Sequence, residues 1–294
     1  MLGRLKGMFG GKKDSKSAKP RRARVNIQRR FSIQSETAQG TMSRVSRATD
    51  SQTGRTVCLK IQIREKHVAA AARTGQEVRP EEGEIASQII HPNVVRVFDY
   101  GESTQNEHFV VMEFIEGVSL KFLRETGGLE LPAKIEVLAQ AADGLAAVHA
   151  KTFIHHDIGP KNFLVDRENH VKLIDFGLAV PNTPRFQRPG NRTGTLQYMA
   201  PELIRRSTID ERIDVFSFGA MAYEFLTGKM VYDAENAMGM MLQRLNQEIF
   251  DPALAARLLP PKLAEVLRKT LERRKEDRWP SMATLPEALR DAIA

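Results

Sequence analysis

Three oxygen-bearing side chains near the middle of the chain have the types and spacing for metal–phosphate chemistry. Asn162 stands immediately before the β-type run Phe163-Leu164-Val165, and Asp175 stands immediately after a second run over 171–174. The turn residues 166–169 separate the two runs, so they fold back on each other as a hairpin. Antiparallel strands carry the residue before the first and the residue after the second to the same open end. An amide oxygen and a carboxylate therefore converge there. Asp157 lies only five residues upstream of Asn162, too few to take it far. Hard oxygen donors gathered at one point suit Mg2+, which keeps waters and takes further oxygens from phosphates.

Such a site needs rigid elements around it. From Phe31 to about Gly117 the pattern is one of short strands, predicted over 31–36, 45–49, 56–63, 94–99 and 108–114, with a helix over 81–90. Beyond Gly117 helical periods dominate, over 132–151, 212–226, 262–272 and 285–293. Strands first and helices after predict an α+β chain, a small β-rich lobe followed by a larger helical one with a cleft between them.

Composition narrows the class. A chain of 294 residues, 41% hydrophobic and 27% charged, can bury a real core and is neither disordered nor membrane-spanning in character. No run approaches the roughly 18 apolar residues of a spanning helix. The single cysteine, Cys58, excludes an intramolecular disulfide and a multi-cysteine zinc site. The start lacks an apolar signal region, so a cytoplasmic location is expected. Leu2 after Met1 argues against myristoylation. Residues 1–30 hold eleven basic side chains against Asp14 alone, a net +10, which leaves −2 for the other 264 residues. This stretch is read as a basic disordered arm. With Leu2, Leu5, Met8 and Phe9 beside the charges, it is either a solvated tail or a weak contact for anionic membranes and polyanions. The body offers no basic face for sequence-specific nucleic-acid binding. None of His67, His91, His108, His149 and His170 has metal-ligand spacing to a cysteine or a second histidine, so they are read as surface or packing residues.

The order His155-His156-Asp157, Asn162, Asp175-Phe176-Gly177, Ala200-Pro201-Glu202 resembles that of the eukaryotic-type protein kinases, in motif sequence and in spacing. The resemblance covers residues 31–293 and implies the bilobal protein-kinase-like fold, with a small lobe and helix C over about 31–115 and a mainly helical lobe over 116–293. Val57-Cys58-Leu59-Lys60 is similar to the family's third strand, with Lys60 gripping nucleotide phosphates and Cys58 on the same, cleft-facing side. Glu82 matches the helix C glutamate that pairs with that lysine; Glu81 and Glu84 are the alternatives one register away. The stretch from Val110 to Gly117 resembles the hinge, with Met112 as gatekeeper and Glu113 and Ile115 beside adenine. Val45 and Leu164 complete the implied nucleotide pocket. Asp214 matches the buried helix F anchor, and Arg278 the arginine that pairs with Glu202.

The resemblance implies a protein serine/threonine kinase that transfers the γ-phosphoryl group of Mg·ATP to protein substrates. Asp157 would accept or orient the substrate hydroxyl, Asn162 and Asp175 would hold the metal, and Lys60 with Glu82 the phosphates. Several positions depart from the pattern. The glycine-loop positions read Ala38, Gly40 and Ser43, so only the middle glycine remains and nucleotide binding should weaken. His156 replaces the catalytic-loop arginine that clamps a phosphorylated activation loop, so phosphorylation at Thr183 or Thr193 should be weakly coupled to activity. Thr195 matches the substrate-binding threonine. Gly159 stands where Ser/Thr-specific members carry a phosphate-contacting lysine, and Lys161, four residues after Asp157, is either its substitute or an exposed lysine without a role. These losses leave a pseudokinase, a nucleotide-binding or scaffolding module, as the rival reading. A small-molecule kinase fits less well, because the Ala-Pro-Glu segment and its arginine are present.

Overall fold

Val57 and Leu59 of the third strand are buried against Phe31, Ala48, Phe109 and Val111, which form a small apolar core on one face of a five-stranded sheet. Cys58 and Lys60 alternate to the other face, toward the larger core and the cleft. This computed structural model describes residues 23–39, 43–63, 79–189, 193–232, 234–246 and 258–294. Gly40 and residues 1–22 of the predicted arm lie outside the described residues.

The sheet comprises β1 (Phe31–Gln39), β2 (Ser43–Asp50), β3 (Thr56–Gln62), β4 (Val97–Glu102) and β5 (His108–Glu113), in the order β1-β2-β3-β5-β4, all antiparallel. Before it, Ile27–Arg30 forms the short helix α1, capped by the Asn26 side chain, and Val25 makes a β-bridge to Ser103. Arg30 donates to both oxygens of Asp50 and to Asp99 at 2.6 Å. Residues 25–30 are thus part of the small lobe, a correction to the reading that ends the arm at residue 30. The Arg30 side chain serves internal pairs that composition alone cannot distinguish from a free tail.

Helix C is α2, Glu82–Ala86, shorter than the predicted 81–90. Ser87 Oγ and Gln88 Nε2 both donate to the Glu84 carbonyl, ending the helix early, and Pro92 disfavours helical backbone just beyond. The fourth strand also starts later than predicted, at Val97, because Val94 instead bridges to Leu173 in the other lobe.

The larger lobe packs α3 (Leu120–Thr126), α4 (Leu131–Ala150), α5 (Pro201–Ile204), α6 (Arg212–Thr227), α7 (Ala237–Asn246), α8 (Pro261–Thr270) and α9 (Leu285–Asp291) into one core. Nearly every residue of α6 from Ile213 to Phe225 is buried, so it is the lobe's axis. It approaches α8 closely at Gly219, where a Cβ would lie 1.9 Å from Thr270 Oγ1. Glu202 and Arg278 form a buried bidentate pair at 2.7 and 2.8 Å. The cleft edge carries β6 (Gly117–Ser119), β7 (Phe153–Ile154), β8 (Phe163–Asp166), β9 (Val171–Leu173) and β10 (Val180–Pro181). The hairpin β8–β9 pairs Phe163 with Leu173, as its sequence requires. Among the described residues no helix is long and apolar enough to cross a membrane.

Candidate active site

Lys60 is drawn between two carboxylates from distant parts of the chain. Its Nζ donates to Glu82 Oε1 at 2.7 Å and to Asp175 Oδ1 at 2.8 Å. Burial pulls its pKa down, but Glu82 and Asp175 outweigh that pull and hold it above the ordinary lysine value. Asp175 is pushed up by burial and drawn further down by the Lys60 ammonium, so it stays ionised below the usual carboxylate range. The helix C partner is therefore Glu82. Its neighbour Glu81 is the helix cap and lies 3.5 Å from His108. Gln62, two residues after Lys60 on the same strand face, donates to Glu82 Oε2 at 3.1 Å, and the Phe176 N–H approaches Glu82 Oε1 at 3.3 Å. Both oxygens of Glu82 are thus fixed, a role for Gln62 that alternation alone does not suggest.

The hairpin brings the predicted metal-ligating pair to one end: the Ile174 N–H donates to the Asn162 carbonyl at 2.8 Å. Asn162 Nδ2 donates to the Asp157 carbonyl at 2.7 Å and to Asp157 Oδ2 at 3.0 Å, which leaves its amide oxygen for a cation. Asp175 spends Oδ1 on Lys60 and on the Gly177 N–H, leaving its second oxygen. An amide oxygen and an ionised carboxylate oxygen are a donor set that fits a hard divalent ion. A second group with ligand-like spacing, Asp166, Glu168 and His170, sits on the turn at the hairpin's other end, with Glu168 and His170 exposed.

Asp157 is oriented from three sides. Thr195 Oγ1 donates to its Oδ1 at 2.7 Å, Asn162 holds Oδ2, and Lys161 Nζ lies 3.2 Å from the same Oδ2. The loop carrying it is anchored by Asp214, which accepts the N–H groups of His155 at 2.7 Å and His156 at 2.9 Å. His149 Nε2 completes that buried knot at 2.9 Å from Asp214, a polar contact that its position in the sequence does not announce. Burial pushes His156 down to about 4, with Asp214 pulling it back up and the Arg79 charge adding to the fall. It is neutral at pH 7, and its Nδ1 meets Thr193 Oγ1 at 3.3 Å. Gly159 is explained by its neighbour: a Cβ there would lie 3.1 Å from the Tyr198 ring, which is pinned by a 2.6 Å hydrogen bond to Glu224. A lysine at 159 has no undisturbed place.

The nucleotide-side residues line up by register. Val45 pairs with Ala38 on one side and Lys60 on the other, and Cys58 pairs with Met112. Burial pushes the Cys58 thiol up to about 11, so it is not an activated nucleophile. The Glu113 carboxylate is engaged by the Arg96 N–H and Lys172 Nζ, both at 2.8 Å, and its own N–H donates to the Arg96 carbonyl at 2.9 Å. Among the described residues the Ile115 N–H has no hydrogen-bond partner. Leu164, half-buried on β8, pairs with Lys172 and Ser119 from the lower lobe.

A family model described as "Protein kinase domain" matches residues 31–289. The chain is 31% identical to a probable serine/threonine-protein kinase pknA2 of Bifidobacterium longum, over 91% of this chain and 36% of the relative. It is likewise 31% identical to the serine/threonine-protein kinase PknB of Mycolicibacterium smegmatis, over 69% of this chain and 34% of that one. To the serine/threonine-protein kinase PknL of Mycobacterium tuberculosis it is 31% identical, over 85% and 62%. The chain thus spans about a third of the length of the first of these curated relatives. With the family model covering most of the chain and a relative 31% identical over 91% of it, the chain belongs to the protein kinase domain family.

Proposed function

We propose that this chain is an ATP-dependent serine/threonine protein kinase, transferring the γ-phosphoryl group of Mg·ATP to hydroxyls of protein substrates. The observation that carries the reading is Lys60 held at once by Glu82 and Asp175, an arrangement with no packing rationale and a clear use in gripping phosphates. Lys60 positions the phosphates, and the backbone at Glu113 and Ile115 receives adenine in a pocket walled by Val45, Cys58, Met112 and Leu164. By sequence, Ala38 and Gly40 belong to the loop that covers the phosphates. Asn162 and Asp175 would hold Mg2+, which supplies charge neutralisation on the phosphate oxygens when bound. Asp157 orients the acceptor hydroxyl and takes its proton, while Thr195 keeps its carboxylate aimed. Lys161, already beside Asp157, supplies the positive charge that Gly159 lacks. The basic residues of 1–22 support a salt-sensitive contact with anionic surfaces.

Incubation with labelled ATP, Mg2+ and casein should label Ser or Thr, and Asp157→Asn and Asp175→Ala should each abolish the signal. Label transfer that persists in both variants would reject the assignment. The same assay without acceptor, followed by phosphoamino-acid analysis, separates self-labelling from transfer to the added protein.

A further inference from the structure

Arg244, on α7, is the largest fully buried side chain among the described residues, with 0% exposure. Among those residues no carboxylate meets it. Its two terminal nitrogens donate to the carbonyls of Leu196 and Gln197, its guanidinium lies 4.6 Å over the Tyr232 ring, and its Nε has no partner. Burial lowers it only to about 10, so it is charged at neutral pH. A buried cation that meets no anion among the described residues is disfavoured there, and a well-packed apolar side chain would serve packing better. What the guanidinium does that a methionine cannot is present two fixed N–H groups to two successive carbonyls.

Those carbonyls belong to the single 3-10 turn Leu196–Tyr198. One end of the turn is Thr195, whose hydroxyl donates to Asp157. The other is Tyr198, whose ring fills the space above Gly159 and whose hydroxyl donates to Glu224. Within the turn the only backbone closures are Tyr198 N to Thr195 O at 3.0 Å and Met199 N to Leu196 O at 3.3 Å. We propose that Arg244 is a positioning residue for phosphoryl transfer: from beneath, it fixes the turn whose two ends aim Asp157 and shape the acceptor side of the catalytic loop. The inference rests on the reading of Asp157 as the group that orients the acceptor hydroxyl. It couples a peripheral helix to the acceptor side of the reaction and leaves the nucleotide side alone.

The test uses the full chain with Arg244→Met, which keeps the volume and removes the donors, and Arg244→Lys, which keeps the charge with a single reaching group. Amide hydrogen exchange across 194–199 should accelerate about tenfold or more in Arg244→Met while 108–115 stays as in the parent. With casein as acceptor probe, kcat/KM for casein should fall about tenfold in Arg244→Met, with KM for ATP unchanged and Arg244→Lys intermediate. Unchanged exchange across 194–199, or KM for ATP rising in step with that for casein, overturns the proposal. The exchange measurement needs no turnover, so a parent that fails to phosphorylate casein counts against the kinase reading while exchange across 194–199 still decides whether Arg244 fixes the turn. If Arg244→Met does not fold, Arg244→Lys carries both measurements with the same expected directions.

Discussion

Two lysines meet carboxylates at the cleft, one from each lobe. Lys60 lies 2.7 Å from Glu82 with 9% of its side chain exposed, and Lys161 lies 3.2 Å from Asp157 with 57% exposed. The distances are similar and the consequences differ. Lys60 cannot leave its partners without stranding Glu82, which is 5% exposed, so its position is set before any nucleotide arrives. Lys161 is held by an exposed pair worth about 0–1 kcal/mol, which solvent or a phosphate can replace. The upper wall of the cleft is therefore preorganised, and under the proposed function the lower wall would supply a cation that can follow charge as it develops. The lysine of this site is pinned by Glu82 and Asp175, with Gln62 bracing Glu82 in turn.

The contrast breaks first at Lys60. Lys60→Met should lower kcat/KM by about 10³-fold or more, and the thermal shift on adding Mg·ATP should disappear. It should also destabilise the fold by about 3 kcal/mol in urea titrations, because Glu82 is left buried without its partner. A variant within tenfold of the parent activity would mean the upper wall is not preorganised.

Burial on the lower wall predicts a pH effect. His156 titrates near 4 in the folded chain, against about 6.5 when unfolded. Between those values the unfolded state binds the extra proton, so this contribution to stability is full above pH 6.5 and is lost as pH falls toward 4. It amounts to roughly 3 kcal/mol at most. Urea midpoints for the parent should drop across that window, and His156→Gln should flatten the drop. Identical pH dependence in the two proteins would place His156 in contact with water.

Lys161→Ala tests the exposed cation. Turnover should fall on the order of 10²-fold with ATP affinity barely changed, and stability should move by less than about 0.5 kcal/mol. Turnover equal to the parent would leave Lys161 an exposed side chain and nothing more. Gly159→Lys is not a clean rescue, because the new Cβ meets the pinned Tyr198 ring.

The smallest effect belongs to Cys58. With its thiol near 11, iodoacetamide labelling at pH 7.5 should be slow with or without Mg·ATP, since under about 0.1% is thiolate. Cys58→Ala should keep activity within about twofold. Fast labelling that ATP blocks would show a more open upper wall than the structure has.

Much of this was legible in the residues alone. The hairpin and the convergence of Asn162 with Asp175 follow from local period, while the Glu82 and Arg278 pairings and the departures at Ala38, His156 and Gly159 came from the resemblance in motif order. These signals are local: a strand alternates over a few residues, and a turn announces itself by its own residue types. What only the tertiary structure decided involves residues far apart in sequence and opposed in space. Gln62 and Glu82 are 20 residues apart, Thr195 and Asp157 are 38, and Arg244 and Leu196 are 48. Whether a basic residue such as Arg30 or Arg244 is solvated or buried depends on which carbonyls and carboxylates packing brings to it, and composition carries no record of that. The free energy of a charge is set by its surroundings more than by its identity, so the sequence determined which groups are present and the packing decided which of them are fixed.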